Sequence, residues 1–183
     1  MRKSKQEAAE TRQAIVAAAA DHIRRTGIAA ASLNDVMAAA GLTHGGFYRH
    51  FRDKEQLVAE AVGAAGDKVV ATIGRTMAKG GFNAAVDGYL STAHRDAPTP
   101  TCPFAALGSE MARSGDEARG AATAVLEQLF LTLAGDAPDR GRARADAIAA
   151  LSTMIGAMTL ARMVSDKALS AEILARAREH LRQ

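Results

Sequence analysis

The sequence predicts an all-α protein, a small N-terminal helix-turn-helix unit followed by a larger helical body. Three observations carry this. Apolar residues recur at helical 3/4 spacing along most of the chain, and no stretch alternates as a strand would. The 48% hydrophobic fraction is dominated by Ala, aromatics are 4% and Trp is absent, a composition that favours helix. Gly and Pro fall in short clusters that divide the pattern into segments.

Residues 1–6 read as a flexible basic tail, and a first helix begins near Glu7. Ile15, Val16, Ala19, Ala20 and Ile23 form one face of it, and Gly27 suits its C-cap. Ser32 can cap the next helix with its hydroxyl, and Asp35, three residues on, resembles a capping-box partner. Leu33, Val36 and Met37 give that helix a face, and Gly41 ends it. A further short helix is expected from Thr43, a good N-cap. Two short helices joined by a Gly-containing turn are a helix-turn-helix. In the second, Phe47 and Phe51 are expected to anchor the helix against Ile15, Ile23, Val36 and Leu57, while Thr43, His44, Tyr48 and Arg49 point elsewhere.

Asp53 caps a long helix with Gln56 as a weak partner. Leu57, Val58, Ala61, Val62, Ala65, Val69 and Ile73 make its stripe, and Lys79-Gly80-Gly81 ends it. A helix over 82–93 follows, with Val86, Tyr89 and Leu90 on one side, then a Pro-dense loop to Pro103. Pro103 opens a helix to about Ala112, and another is expected over 117–134. Residues 140–164 carry two apolar seams. One is Ile148, Leu151, Ile155 and Met158; the other is Ala147, Ala150, Met154, Ala157, Ala161 and Val164. Two seams predict burial on two sides, one of them against a partner subunit. A final amphipathic helix, 170–182, carries Ile173, Leu174, Ala177 and Leu181.

Composition also excludes. A single Cys permits no internal disulfide, and no apolar run reaches the roughly 18 residues of a membrane span. The opening MRKSKQEAAETR has no signal-peptide core, so a soluble, cytoplasmic protein is expected, with no membrane partner. The five histidines form no metal-spaced cluster, and there is no phosphate-binding Gly loop or nucleophile motif. No enzyme, metal or cofactor is therefore expected. Net charge is +3, and residues 1–54 hold nine Lys/Arg against five Asp/Glu, while the remainder holds 14 against 15. All the excess positive charge lies in the N-terminal third, which suits either a solubilising tail or a module facing a polyanion.

The pattern Gly41-x-Thr43-x-Gly45-x-Phe47-Tyr48-x-His50-Phe51-x-x-Lys54-Glu55-x-Leu57 resembles the DNA-binding domain of TetR/AcrR-type transcriptional repressors. The likeness covers roughly residues 10–58, and departs from the usual pattern at His44 and Gly46. It implies a DNA-binding domain at 1–52 and a ligand-binding and dimerisation domain at 53–183, and so a homodimeric repressor released from palindromic operator DNA by a small, mainly apolar effector.

The resemblance also implies roles for residues. Ser32, Tyr48, His50 and Lys54 would meet phosphates, with a plain N-cap, a core tyrosine and a solvated lysine as the bland readings of Ser32, Tyr48 and Lys54. Thr43, His44 and Arg49 are candidates for base edges, and Arg49 could equally reach a phosphate. Gly45 and Gly46 cost roughly 2 kcal/mol of helix propensity against two alanines, which close backbone approach to DNA would explain. The pocket is expected from Met77, Phe82, Tyr89, Phe104, Leu107, Met111, Leu126, Phe130, Met154 and Met158, each of which could equally be plain core. With few charges on those faces, the expected effector is neutral or hydrophobic. The dimer interface is expected from Ile148, Leu151, Ile155, Ala157, Ala161, Ile173, Ala177 and Leu181. Cys102, in a loop near the expected pocket, is either a redox sensor or an unreactive thiol.

Overall fold

The computed structural model describes residues 5–182, and every regular element in that range is helical. Residues 1–4 of the expected basic tail lie outside the described residues. Lys5 and Gln6 do not belong to a tail: they open the first turn of α1 (Lys5–Thr26). The α1 stripe of Ile15, Val16, Ala19, Ala20 and Ile23 is buried, as the spacing predicts. Gly27 closes the helix at φ 90°, and its N–H donates to Ile23 O at 2.8 Å. A Cβ there would also stand 2.8 Å from Glu110 Oε1, the carboxylate that accepts the Ala29 N–H at 3.1 Å.

α2 (Leu33–Ala39) is capped by Ser32, whose Oγ accepts the Asp35 N–H at 3.1 Å. The second helix of the motif differs from expectation. His44–Arg49 is a single 3₁₀ segment, not an α-helix, and the Thr43 side chain makes no cap bond. The reason is local: six residues containing Gly45-Gly46 have too little propensity to nucleate an α-helix, and 3₁₀ turns serve such short pieces.

α3 (Lys54–Tyr89) starts at Asp53, whose carboxylate accepts the Gln56 N–H at 2.9 Å. The glycines at its expected end produce a sharp bend at Gly81 (φ 68°, ψ −167°). The following arm stops at Tyr89 instead of 93. Ser91 accepts the His94 N–H at 3.1 Å and starts a separate turn, α4 (Thr92–Arg95), showing how a Ser competes with helix continuation. α5 (Pro103–Met111), α6 (Asp116–Ala134) and α7 (Arg140–Met163) match their expected segments closely. α8 (Lys167–Leu181) begins earlier than expected, because Asp166 accepts the N–H groups of Ala168 and Leu169.

Two packings organise the molecule. α1 packs on α3, α2 packs on α1 and the 3₁₀ segment on α2, while α6 lies along α3 with α7 against α6 and α8 against α7. The apolar core is continuous from Ile15 to Leu174. No helix among the described residues is long and apolar enough to cross a membrane.

α7 corrects the two-seam expectation. Ala147, Ala150, Leu151, Met154, Ala157, Met158 and Ala161 all face the protomer's own core. Leu151, Ala157 and Ala161, expected at a dimer interface, are 1%, 8% and 2% exposed. The alanine-rich seam is used internally together with Leu151 and Met158 of the other seam. Its outer face holds Ile148, Leu160 and Met163, with Leu169 of α8, as exposed apolar residues. Ile155, Ile173, Ala177 and Leu181 are half-buried against the core edge.

The α3–α6 contact generates a prediction. A Cβ on Gly66 would lie 2.4 Å from Val125 Cγ1, so glycine is what lets these helices approach. Gly66→Ala should destabilise the fold by about 1–3 kcal/mol through overpacking. Thermal unfolding checks it, and adding Val125→Ala should recover part of the loss.

Candidate nucleic-acid interface and cavity

The 3₁₀ segment has an inner and an outer side. Phe47 and Phe51 are 0% and 2% exposed and stack with centroids 5.5 Å apart. They join the core that contains Ile15, Ile23, Val36 and Leu57, as expected of anchors. Thr43, His44, Gly45, Tyr48 and Arg49 are exposed, and Tyr48 is 68% exposed. An uncovered tyrosine of this kind excludes the core reading of Tyr48. Its ring meets Phe47 edge-on at 5.1 Å and His44 at 6.3 Å, which sets its direction without burying it.

Arg12 of α1 fixes the end of this segment. Its Nε donates to His50 O at 3.2 Å, its Nη atoms fork onto the Glu60 carboxylate, and its guanidinium lies 4.6 Å from the Phe51 ring centre. One side chain thus joins α1, the 3₁₀ segment and α3. Gln56 extends the join, donating to Glu60 at 3.1 Å and accepting the Arg52 N–H at 2.8 Å. No local pattern in the sequence marks Arg12 or Glu60. Their separation of 48 residues hides the pair, since a half-buried Arg and Glu on two helices carry no local signature.

The other expected contacts are distributed around this face. Ser32 Oγ donates to Asp35 Oδ2 at 2.6 Å while accepting from the Asp35 amide. Its hydroxyl proton is therefore committed within the protein. His50 is half-buried and Lys54 stands in the first turn of α3, where it makes no ion pair among the described residues. Arg52, by contrast, pairs with Asp53 at 2.7 Å and with Glu117 of α6. The glycines are not demanded by packing: a Cβ on Gly45 meets nothing within 4 Å, and one on Gly46 only Met37 Cε at 3.6 Å.

A cavity of about 480 Å³ opens between α1, α3 and the segment leading to α5. Both arms of α3 wall it on either side of the Gly81 bend, with Ala65, Val69, Ile73 and Ala85 as an apolar floor. Arg24 of α1, His94, Thr101 and Cys102 close the inner end, and Lys68 and Thr72 stand exposed at the rim. Among the expected pocket residues only Tyr89 lines it. Phe104, Leu107, Met111, Met154 and Met158 are core, and Met77, Phe82 and Leu126 pack partly buried against that core. Phe130 borders a separate surface groove, with Arg144 over its ring at 5.6 Å. The physical reason is simple. Large apolar side chains fill space, so space remains where side chains are short, at Ala65, Ala85, Gly88, Ala93 and Ala97. Arg24, Lys68 and His94 also line this space.

Burial governs the chemistry of the inner end. It pushes the Tyr89 hydroxyl well above its usual range, so Tyr89 is a neutral donor. It pushes the Cys102 thiol up and the His94 imidazole down. Cys102 is 1% exposed and stays protonated, which fits the unreactive reading. Iodoacetamide should therefore label Cys102 far more slowly than a free thiol, with the rate rising only in denaturant. Mass spectrometry of the alkylated protein checks this.

Four likenesses bear on the chain. The model of the family "Bacterial regulatory proteins, tetR family" matches residues 15–61. The HTH-type transcriptional regulator AcrR of Shigella flexneri is 46% identical over 59 residues, 32% of this chain but only 27% of that one. An uncharacterized HTH-type transcriptional regulator of Mycobacterium tuberculosis is 35% identical over 175 residues, covering 85% of this chain and 86% of the relative. The crystal structure of a TetR transcriptional regulator from Chloroflexus aurantiacus J-10-FL superposes with a TM-score of 0.74 at 30% identity, over 96% of this chain and 94% of that one. With the motif, the all-helical layout and a relative matched across most of both chains in agreement, this chain belongs to the TetR family of bacterial transcriptional regulators.

Proposed function

We propose that this protein is a ligand-responsive repressor that binds a palindromic operator as a homodimer. The observation that carries the reading is the outer side of the 3₁₀ segment. It exposes Thr43, His44, Gly45, Tyr48 and Arg49 together, on a backbone anchored by buried Phe47 and Phe51. A short element with a fixed inner side and a donor-rich outer side suits the major groove. In this reading residues 1–52 bind DNA, and residues 53–183 dimerise and supply most of the ligand cavity, which Arg24 of the N-terminal unit helps to close.

Roles follow from exposure. Arg49 and His44 meet base edges, and Thr43 meets a base edge or a thymine methyl. Tyr48, His50 and Lys54 meet phosphates. Ser32 can join them if its proton leaves Asp35 for a phosphate oxygen, at the cost of the 2.6 Å bond they share. The bare Gly45-Gly46 backbone allows close approach to the duplex. The homodimer uses the outer faces of α7 and α8, where Ile148, Leu160, Met163 and Leu169 are exposed and Ile155, Ile173, Ala177 and Leu181 border them. A partner covering this strip would remove an apolar surface that a monomer leaves in water.

The effector occupies the cavity behind the reading head. Its walls come from α1, both arms of α3 and the loop before α5. A ligand that fits one arrangement of these walls better than another shifts the spacing of the two reading heads. It can lower operator affinity by its differential binding energy and no more.

Selection from random duplexes should return a palindrome with half-sites about one helical turn apart. Absence of any such motif would overturn the reading. On the selected duplex, Lys54→Ala should reduce the slope of log affinity against log salt by about one, as read by fluorescence anisotropy. For the assembly, Met163→Glu should shift the protein toward monomer in sedimentation equilibrium and weaken operator binding. Leu151→Ala should instead cost about 2–5 kcal/mol of fold stability, since Leu151 is core and not interface.

A further inference from the structure

Buried polar side-chain atoms in folded proteins nearly always have a hydrogen-bond partner. Among the described residues four have none: Arg24 Nη1, Tyr89 Oη, His94 Nε2 and Arg162 Nη1. They are not scattered through the core. Arg24, Tyr89 and His94 line the same cavity. Arg162 stands directly behind it, donating to His94 O at 2.8 Å and to Arg95 O at 3.2 Å.

Each orphan results from a side chain that is otherwise held. Arg24 is 8% exposed and gives its Nε to Pro100 O at 2.7 Å and its Nη2 to Asp21 at 2.5 Å. Only Nη1 is left over. Tyr89 is 7% exposed; its hydroxyl stands by the Cys102 thiol, a weak partner, and makes no full hydrogen bond. His94 Nδ1 is 2.6 Å from Tyr89 O, which assigns the ring hydrogen to Nδ1 and leaves Nε2 an acceptor. The Arg162 donors that are satisfied meet backbone carbonyls, and the carboxylate whose field reaches it, Asp96, is hydrogen-bonded to Arg95. No Asp or Glu lines the cavity, and Lys68 adds a further cation at the rim.

The inner end of the cavity is thus rich in rigid donors and positive charge, over an apolar floor. A neutral hydrocarbon would leave those donors unpaired, at a cost comparable to that of any unsatisfied buried group. We propose that the cavity takes an amphipathic organic anion, its carboxylate paired with Arg24 Nη1 and the Tyr89 hydroxyl and its apolar body lying on Val69, Ile73 and Ala85. Arg162 supports the anion through its field. A hydroxyl or amide N–H on the ligand's body would satisfy His94 Nε2. This deepens the proposed function and rests on the cavity being the effector site.

The location of Arg24 gives the proposal a mechanical consequence. Arg24 lies in the last turn of α1, the helix whose Arg12 holds the reading segment. A carboxylate on Nη1 therefore pulls on the DNA-binding head itself, competing with the bonds from Arg24 to Asp21 and Pro100.

The test compares 4-phenylbutanoate with 4-phenylbutan-1-ol, equal in body and different in head, by calorimetry on the full chain. The carboxylate should bind at least about tenfold more tightly, the scale of one charge-assisted hydrogen bond. Arg24→Met should erase that preference while alcohol binding persists. Tyr89→Phe removes only the hydroxyl and should weaken the carboxylate several-fold with an unchanged melting temperature. It carries the test alone if Arg24→Met does not fold. No carboxylate binding, an alcohol that binds as tightly, or a preference that survives the variants would overturn the proposal. Operator affinity measured alongside separates the two readings. Carboxylate binding that leaves operator affinity unchanged sinks the effector reading and spares the anion site. Release by the alcohol alone does the reverse.

Discussion

The structure depends on one helix serving two packings. The first turns of α3 give Leu57, Val58 and Ala61 to the small head, and the next give Ala65, Gly66, Val69 and Ile73 to the body. No linker separates them, because the apolar stripe runs through without a break. The consequence is mechanical. The arm of α3 before the Gly81 bend, packed against both the head and the body, couples the two as a continuous helix. The close approach at Gly66 and Val125 sets the distance between α3 and α6, and through it the place where the body holds the head.

Polar contacts refine that arrangement more than they stabilise it. Arg12–Glu60, Arg52–Glu117 and the Glu110–Ala29 bond each cross between elements of the head and neighbouring helices. All involve partly or fully exposed groups, and such ion pairs contribute on the order of 1 kcal/mol or less. Their value is directional. Arg12 sets the angle of the reading segment through one carbonyl, one ring and one carboxylate, which an apolar contact could not do. Arg24 links the other end of α1 to the loop before α5. α1 is therefore held at both ends by arginines, one facing the reading segment and one facing the cavity.

The reading segment and the cavity share a physical feature, which is local under-packing. The Gly45-Gly46 pair leaves backbone bare, and the 3₁₀ geometry follows from it. The Ala and Gly residues around the cavity leave volume, and unpaired donors follow from that volume. In each place the chain forgoes stability that larger or better-paired residues would supply. Departures from good packing of this kind are where a fold accommodates a partner.

Much of this was legible in the residues alone. Helix caps at Ser32 and Asp53, breaks at Gly27 and Gly41, and apolar periodicity are local properties, decided within a few residues by hydrogen bonding and side-chain direction. The motif from Gly41 to Leu57 is equally local, so the buried and exposed sides of the reading segment could be read from spacing. What the tertiary structure decided were the pairings over long separations and the empty space. Arg12 with Glu60, and Arg24 with Pro100, depend on how α1 lies across α3 and α5. The faces of α7 depend on how it lies against the neighbouring helices, so the alanine-rich seam with Leu151 and Met158 turned inward, while Ile148, Leu160 and Met163 turned outward. A cavity is the absence of side chains between elements, and no periodicity encodes an absence. It becomes visible only when the helices are set against one another.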